Sequence, residues 1–134
     1  PRPFDDDCGV ALGAQLRIQR RRPPGQCIAD PEDERCLGSI SLDGLGRYAK
    51  RGEIGYWAHP DVRGGGAVAE AVRVVTRHAR DCGLATSLLI RCAVGNAASR
   101  RVAERAGYRR IGIQPLSEPL RDGHLVDLVL YSSP

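Results

Sequence analysis

The stretch Glu53-Ile54-Gly55-Tyr56-Trp57-Ala58-His59-Pro60-Asp61-Val62-Arg63-Gly64-Gly65-Gly66-Ala67-Val68 decides how this chain folds. Its first half has the two-residue alternation of a strand: Ile54, Tyr56 and Ala58 point to one face, Gly55, Trp57 and His59 to the other. Pro60, which lacks an N–H, ends the ladder. Arg63 and three consecutive glycines follow, then a segment of helical period. Val68, Ala71, Val72, Val75, Ala79 and Cys82 recur at i, i+3, i+4, i+7, i+11 and i+14, so one apolar stripe faces a core. Gly83 stands at the helix end, where a residue free to adopt positive φ is needed. Strand, glycine turn and helix N-terminus together offer backbone N–H groups and the positive end of a helix dipole, which suits a phosphate.

Working outward on the N-terminal side, residues 10–22 are predicted as a short helix with Leu12, Leu16 and Ile18 inward, stopped by Pro23-Pro24-Gly25. Arg20-Arg21-Arg22 reads as its solvated, dipole-favoured end rather than a polyanion contact. Residues 26–30 and 36–42 form a hairpin around Pro31-Glu32-Asp33-Glu34. On the C-terminal side, residues 86–94 make a strand that is apolar on both faces except at Arg91, as expected of a strand covered on both sides. Asn96 is positioned to cap a second helix over 97–106, closed by Gly107. Strands over 108–113 and 124–131 complete the chain. The order helix, hairpin, strand, helix, strand, helix, hairpin specifies a mixed α+β (α/β-like) sheet with helices packed on it.

The 134 residues fit one domain, 1–134. No apolar run approaches membrane-spanning length and no signal-peptide pattern is present, so a cytoplasmic protein is expected. Five cysteines form no CxxC pair and have no histidine at zinc-finger spacing, which predicts reduced thiols and no metal. The net charge of +4 is carried almost wholly by arginine, since Lys50 is the only lysine. That balance suits an anionic ligand but is too small to argue for nucleic acid. Arg100, Arg101 and Arg105 are predicted on the helix face away from Ala98, Val102 and Ala106, in solvent. With Trp57 the only tryptophan and Phe4 the only phenylalanine, the aromatic interleaving of base-stacking modules is missing.

The glycine turn admits several readings. A P-loop requires Gly-Lys-Ser/Thr at its end, and Gly66-Ala67-Val68 supplies neither lysine nor hydroxyl. Gly64-Gly65-Gly66-Ala67-Val68-Ala69 formally matches the dinucleotide pattern GxGxxA. However, Pro60 to Arg63 intervene after the strand, and the next strand ends in Cys92, Ala93 and Val94 without the acidic residue that would hold a ribose. A tight turn with no ligand is the plain alternative.

Arg63-Gly64-Gly65-Gly66-Ala67-Val68 also resembles the acyl-CoA pyrophosphate loop of the GNAT acetyltransferase superfamily, whose pattern is Gln/Arg-x-x-Gly-x-Gly/Ala. Glu53-Ile54-Gly55-Tyr56-Trp57, Asn96-Ala97-Ala98-Ser99, Ala106-Gly107-Tyr108 and Asp127-Leu128-Val129-Leu130-Tyr131 resemble, in the same order, its Rim-type ribosomal-protein N-terminal acetyltransferase subgroup. The resemblance implies a central mixed sheet, mostly antiparallel with a splayed parallel pair at its centre, flanked by helices. It implies acetyl-CoA as co-substrate, its diphosphate on the N–H groups of Gly64, Gly65, Gly66, Ala67 and Val68 with Arg63 as a nearby cation. The pantetheine arm would add like a strand between the two parallel strands, which splay beyond a bulge. The segment Tyr56 to His59, with Trp57 and Ala58 in it, would pair with the arm and hold the thioester carbonyl. Asn96 would hydrogen-bond the arm or a water. Glu53 or His59 would take the amine's proton, directly or through water, and Ser99 would return one to the leaving thiolate. A protein N-terminal amine, a polyamine or an antibiotic amine would each serve as acceptor.

Departures from the family pattern are specific. Ala103 stands where many members carry a tyrosine acid, Tyr108 matches a packing aromatic, and Val68 crowds a position that prefers Gly or Ala. The family opens with a strand and a helix that shape the acceptor pocket. This chain, starting at Pro1, is expected to be N-terminally shortened and to leave residues 26–30 as an unpaired edge that favours a homodimer. A domain that binds acetyl-CoA or a protein partner without turnover is the alternative expectation.

Overall fold

The structure, a computed structural model, describes residues 10–12, 16–20, 26–29, 36–43, 51–60, 66–119 and 122–134. In chain order these contain β1 (Val10–Leu12), β2 (Leu16–Arg20), β3 (Gln26–Ala29), β4 (Cys36–Asp43), β5 (Arg51–Ala58), α1 (Ala67–Asp81), β6 (Ser87–Ala93), α2 (Ala97–Arg105), β7 (Arg109–Pro119) and β8 (Leu125–Ser132). The strands form one sheet in the order β1-β2-β3-β4-β5-β6-β8-β7. Every neighbouring pair is antiparallel except β5 and β6. This is the mixed sheet expected, with its parallel pair at the centre.

That parallel pair decides the architecture of the site. Its ladder holds only at Arg51↔Ser87, Gly52↔Leu88 and Glu53↔Leu89. Beyond Glu53, β5 stays paired to β4 through Gly38↔Ala58, and beyond Leu89, β6 stays paired to β8 through Ala93↔Leu128. Each strand follows its outer neighbour, so the two diverge and a wedge opens between them. The expected bulge does not accompany this splay, because the β4–β5 register runs without a shift from Gly38↔Ala58 to Asp43↔Glu53.

The helix face of the sheet carries the core. Ile28, Ile40, Ile54, Leu88, Ile90, Val129 and Tyr131 meet Val72, Val75 and Ala79 of α1, all essentially inaccessible. Alternation places them there: Ile40 opposes Tyr56, Leu42 opposes Ile54, and Ile90 opposes Tyr131, each pair on one side of the pleat. Tyr108 is core as expected, and its hydroxyl lies 2.6 Å from Thr76 Oγ1, which itself donates to the Val72 carbonyl. Gly83 and Gly107 adopt the positive φ (+68° and +85°) that their places after α1 and α2 require.

Two expectations near the N-terminus are overturned. The helix expected over residues 10–22 is replaced by strands at Val10–Leu12 and Leu16–Arg20, the part of it that lies within the described residues. Leu12 and Leu16 fit a helical spacing, but Leu16-Arg17-Ile18-Gln19-Arg20 also alternates apolar and polar, and a neighbouring strand made the second period win. For the same reason the strand from Gln26 is no edge: β3 pairs with β2 on one side, Ile28 opposite Ile18, and with β4 on the other. Among the described residues no helix is long and apolar enough to cross a membrane.

Candidate active site

The wedge between β5 and β6 opens into a cleft of about 270 Å³, bounded by the end of β5, the start of α1 and one face of α2. Its β5 wall is Tyr56, Trp57 and Ala58. The α1 wall begins at Gly66, the N-cap, held at φ +81° and itself without a side chain to cap the helix. Gly66, Ala67, Val68 and Ala69 line the cleft, so the helix N-terminus stands beside it, an arrangement that suits a phosphate. Val68 is buried and lines this wall beside Ala69. Arg63, Gly64 and Gly65 lie outside the described residues.

On α2, Asn96 is the N-cap and its Oδ1 accepts from the Ser99 N–H at 3.0 Å, as its position predicts. Ser99 lies one turn on, in the cleft wall. Its hydroxyl is 3.2 Å from both the Tyr56 hydroxyl and the Cys92 thiol, and it donates to either. The Tyr56 hydroxyl in turn donates to the Ser99 carbonyl at 2.6 Å. Burial pushes Tyr56 far above the ordinary phenol range, with the hydrogen bond from Ser99 pulling the other way. Tyr56 therefore stays protonated throughout the working pH range and acts as a fixed donor. Sequence reasoning placed it on one face of β5 with Ile54 and Ala58 and missed this role. The alternation that buries its ring was legible, but the partner for its hydroxyl comes from a helix forty-three residues away.

The other candidates separate. Glu53 sits at the last rung of the parallel ladder, where the wedge begins, and its carboxylate accepts from Arg91 Nε at 2.7 Å. Both groups are more than one-third exposed, on the sheet face opposite Ile54. His59 lies past the end of β5, with its N–H bonded to the Leu37 carbonyl and its ring edge-on to Trp57 at 6.2 Å. Six residues of extended chain separate Glu53 from His59, roughly 20 Å, so the two cannot serve one reacting centre.

One sequence expectation is corrected here. Arg101 and Arg105 do not face away from Ala98 and Val102; all four line the cleft. Arg100 turns the other way, with Nε near the Tyr131 hydroxyl and Nη1 donating to the Val94 carbonyl. Among the described residues no group of three His, Cys, Asp or Glu side chains is gathered as metal ligands would be.

A mixed sheet with its parallel pair splayed beside a helix N-terminus defines the class of fold. Within it the chain belongs to the GNAT acetyltransferase family: the family's acetyltransferase (GNAT) domain matches residues 11–109. It is 30% identical over 128 residues to a ribosomal-protein-serine acetyltransferase of Escherichia coli (strain K12), covering 96% of this chain and 70% of that one. It is 35% identical over 105 residues to a putative ribosomal N-acetyltransferase of Bacillus subtilis (strain 168), covering 75% of this chain and 54% of the relative. Among solved structures it is similar to a microcin C7 self-immunity acetyltransferase in complex with acetyl-CoA and AMP (TM-score 0.74, 25% identity), covering 82% of this chain and 59% of that one. The chain thus spans between about half and 70% of these proteins' lengths.

Proposed function

We propose that this chain transfers the acetyl group of acetyl-CoA to a primary amine by direct attack in a ternary complex. The observation that carries the reading is the parallel ladder that stops at Glu53↔Leu89, with the N-terminus of α1 lining the cleft into which the wedge opens. The α1 N-terminus, with Arg63, Gly64 and Gly65 before it, holds the diphosphate. The backbone of Tyr56, Trp57, Ala58 and His59 pairs with the pantetheine arm and holds the thioester carbonyl, and Asn96 steadies the arm from the other side.

Chemistry then needs two proton movements. The amine nitrogen attacks the carbonyl carbon, the C–S bond breaks, and an amide forms. Glu53, near the apex of the wedge with its carboxylate steadied by Arg91, takes the amine's proton through water. Ser99 gives its hydroxyl proton to the departing thiolate from the helix side, in the place of the tyrosine acid that Ala103 replaces. His59 lies past the end of β5 and takes no proton. A protein N-terminal amine is the favoured acceptor, supported by the ribosomal-protein acetyltransferases among the relatives, which also favour a cytoplasmic setting. Self-association would use the β7 edge of the sheet, where Ile111 and Ile113 are exposed.

Thermal unfolding with acetyl-CoA and with NAD tests the ligand. Acetyl-CoA at one hundred times its dissociation constant should add about 2.7 kcal/mol of stability, and NAD none. Equal shifts would refute the acyl-CoA reading. Release of CoA thiol with a serine-initiated peptide, spermidine or an aminoglycoside then tests the acceptor. Release without any amine dependence would mean binding and hydrolysis, not transfer.

A further inference from the structure

Proton transfer in the cleft uses Ser99 and Tyr56 but leaves a third polar group of the same cluster without a task. Cys92 lies on β6 opposite Val129, and its thiol is free and 3% exposed. Its Sγ stands 3.2 Å from Ser99 Oγ and 3.7 Å from the Tyr56 hydroxyl. The three groups come from β5, β6 and α2, and of them only Tyr56 and Ser99 line the cleft. Cys92 therefore reaches the cleft only through its neighbours.

The hydrogens at hand fix the bonds. The Tyr56 proton is committed to the Ser99 carbonyl at 2.6 Å, so its oxygen can only accept from Ser99 Oγ. The contact between Ser99 and Cys92 can run either way, because a thiol also carries a hydrogen. When Ser99 turns its own proton to a departing thiolate, its oxygen needs a donor behind it. Among the hydrogen bonds of the described residues, the Cys92 thiol is the one donor left to it. Acidity makes that donor matter. An aliphatic hydroxyl is a far weaker acid than a thiol, so a serine acting alone would be left as an alkoxide, and its transfer would run uphill. Burial holds Tyr56 protonated, so the phenol does not supply the missing proton.

We propose that Cys92 is a positioning residue that supplies the proton behind Ser99. As the thioester C–S bond breaks, the Ser99 hydroxyl hydrogen passes to the CoA sulfur and the Cys92 thiol hydrogen passes to Ser99 Oγ. This rests on the acetyl-transfer reading of the cleft, with Ser99 as its acid. One S–H bond breaks at Cys92 and one forms on CoA, so the proton moves between two sulfurs and the serine ends unchanged. The proton that Glu53 takes from the amine goes to solvent. Once CoA leaves, solvent returns one through Ser99 to Cys92, and the balance closes. A buried, unpaired thiolate is costly, which drives that return.

Single-turnover release of CoA tests the relay, with a serine-initiated peptide, spermidine or an aminoglycoside as acceptor, whichever reacts fastest. Cys92→Ala should slow release about tenfold, the order of one lost hydrogen bond, with acetyl-CoA affinity unchanged. Cys92→Ser keeps the packing and a hydrogen bond but puts a weaker acid behind Ser99. It should be slow as well, and it carries the test if the alanine chain does not fold. In a Ser99→Ala background neither substitution should slow release further. Cys82→Ser, at the exposed thiol that ends α1, should leave the rate unchanged. A parent rate in either Cys92 variant overturns the relay, and so do additive losses in the Ser99→Ala background; both leave acetyl transfer intact. An undiminished rate in Ser99→Ala overturns Ser99 as the acid and the relay with it. No amine-dependent release with any of the three acceptors overturns the acetyl-transfer reading itself.

Discussion

The Tyr56 hydroxyl donates to the Ser99 carbonyl at 2.6 Å and, through its own oxygen, accepts from the Ser99 hydroxyl at 3.2 Å. One phenol on β5 thus holds both the backbone and the side chain of a residue in the first turn of α2, across the wedge. Ser99 Oγ is held in the cleft wall, and Asn96 with it because both belong to the same helical turn.

A double-mutant cycle separates the two bonds. Ser99→Ala should lower kcat by roughly 10²-fold or more with little change in acetyl-CoA affinity, the usual worth of a general acid. Tyr56→Phe should lower kcat about tenfold, the order of one lost hydrogen bond. In the Ser99→Ala background the same Tyr56→Phe change should cost kcat almost nothing, because the hydroxyl it orients is gone. Additive losses would show that Tyr56 acts only through the Ser99 carbonyl, as a strut.

Proton uptake from the amine is read from steady-state kinetics. Glu53→Gln should lower kcat by roughly 10²-fold, leaving KM for acetyl-CoA unchanged. The same substitution should cost less than about 1 kcal/mol of stability, since an exposed ion pair contributes little. His59→Gln should leave kcat near that of the parent chain. The reverse pattern would transfer the base to His59.

Two glycines should fail for different reasons. A Cβ at Gly38 would lie 2.4 Å from the Trp57 carbonyl oxygen, so Gly38→Ala should push β5 off β4 and destabilise the fold by about 1–3 kcal/mol. A Cβ at Gly66 would meet no atom within 4 Å, but φ there is +81°, so Gly66→Ala should cost about 1 kcal/mol through backbone strain alone. Gly66→Ala should also weaken acetyl-CoA binding, because relief of that strain turns the first N–H groups of α1. Chemical denaturation with and without ligand checks both; equal affinity in Gly66→Ala would place the phosphate elsewhere.

Alkaline stability follows from the buried phenols. Burial raises both Tyr56 and Tyr108 above the ordinary value of about 10, so above that pH the folded chain binds more protons than the unfolded one. Their contribution is complete below about pH 10 and is lost as pH rises through the folded values, with no effect between pH 5 and 9. Denaturation midpoints measured from pH 8 to 11 should decline only above about 10, and Tyr56→Phe with Tyr108→Phe should flatten that decline. A decline already under way at pH 8 would point to another group.

The amino-acid sequence by itself determined the central strand, both helices and their ends. Apolar spacing, Pro60, Asn96, Gly83 and Gly107 act within a few residues of their own positions, and local signals of that kind survive any tertiary context. It also determined which residues of β5 share a face and which stripe of α1 is apolar, because period alone groups them. Long-range contacts decided the rest. Leu16–Arg20 became strand only because β3 offered it a ladder, and the edge moved outward with it. The wedge arises because β5 and β6 each follow an outer neighbour, a competition between pairings that neither strand encodes alone. Arg101 and Arg105 are exposed, as expected, but docking of α2 against the start of α1 sets them on the cleft wall they share with Ala98 and Val102. The bond from Tyr56 to Ser99 joins two elements whose order along the chain says nothing of the distance between them, so only the packed fold could bring that hydroxyl to its partner.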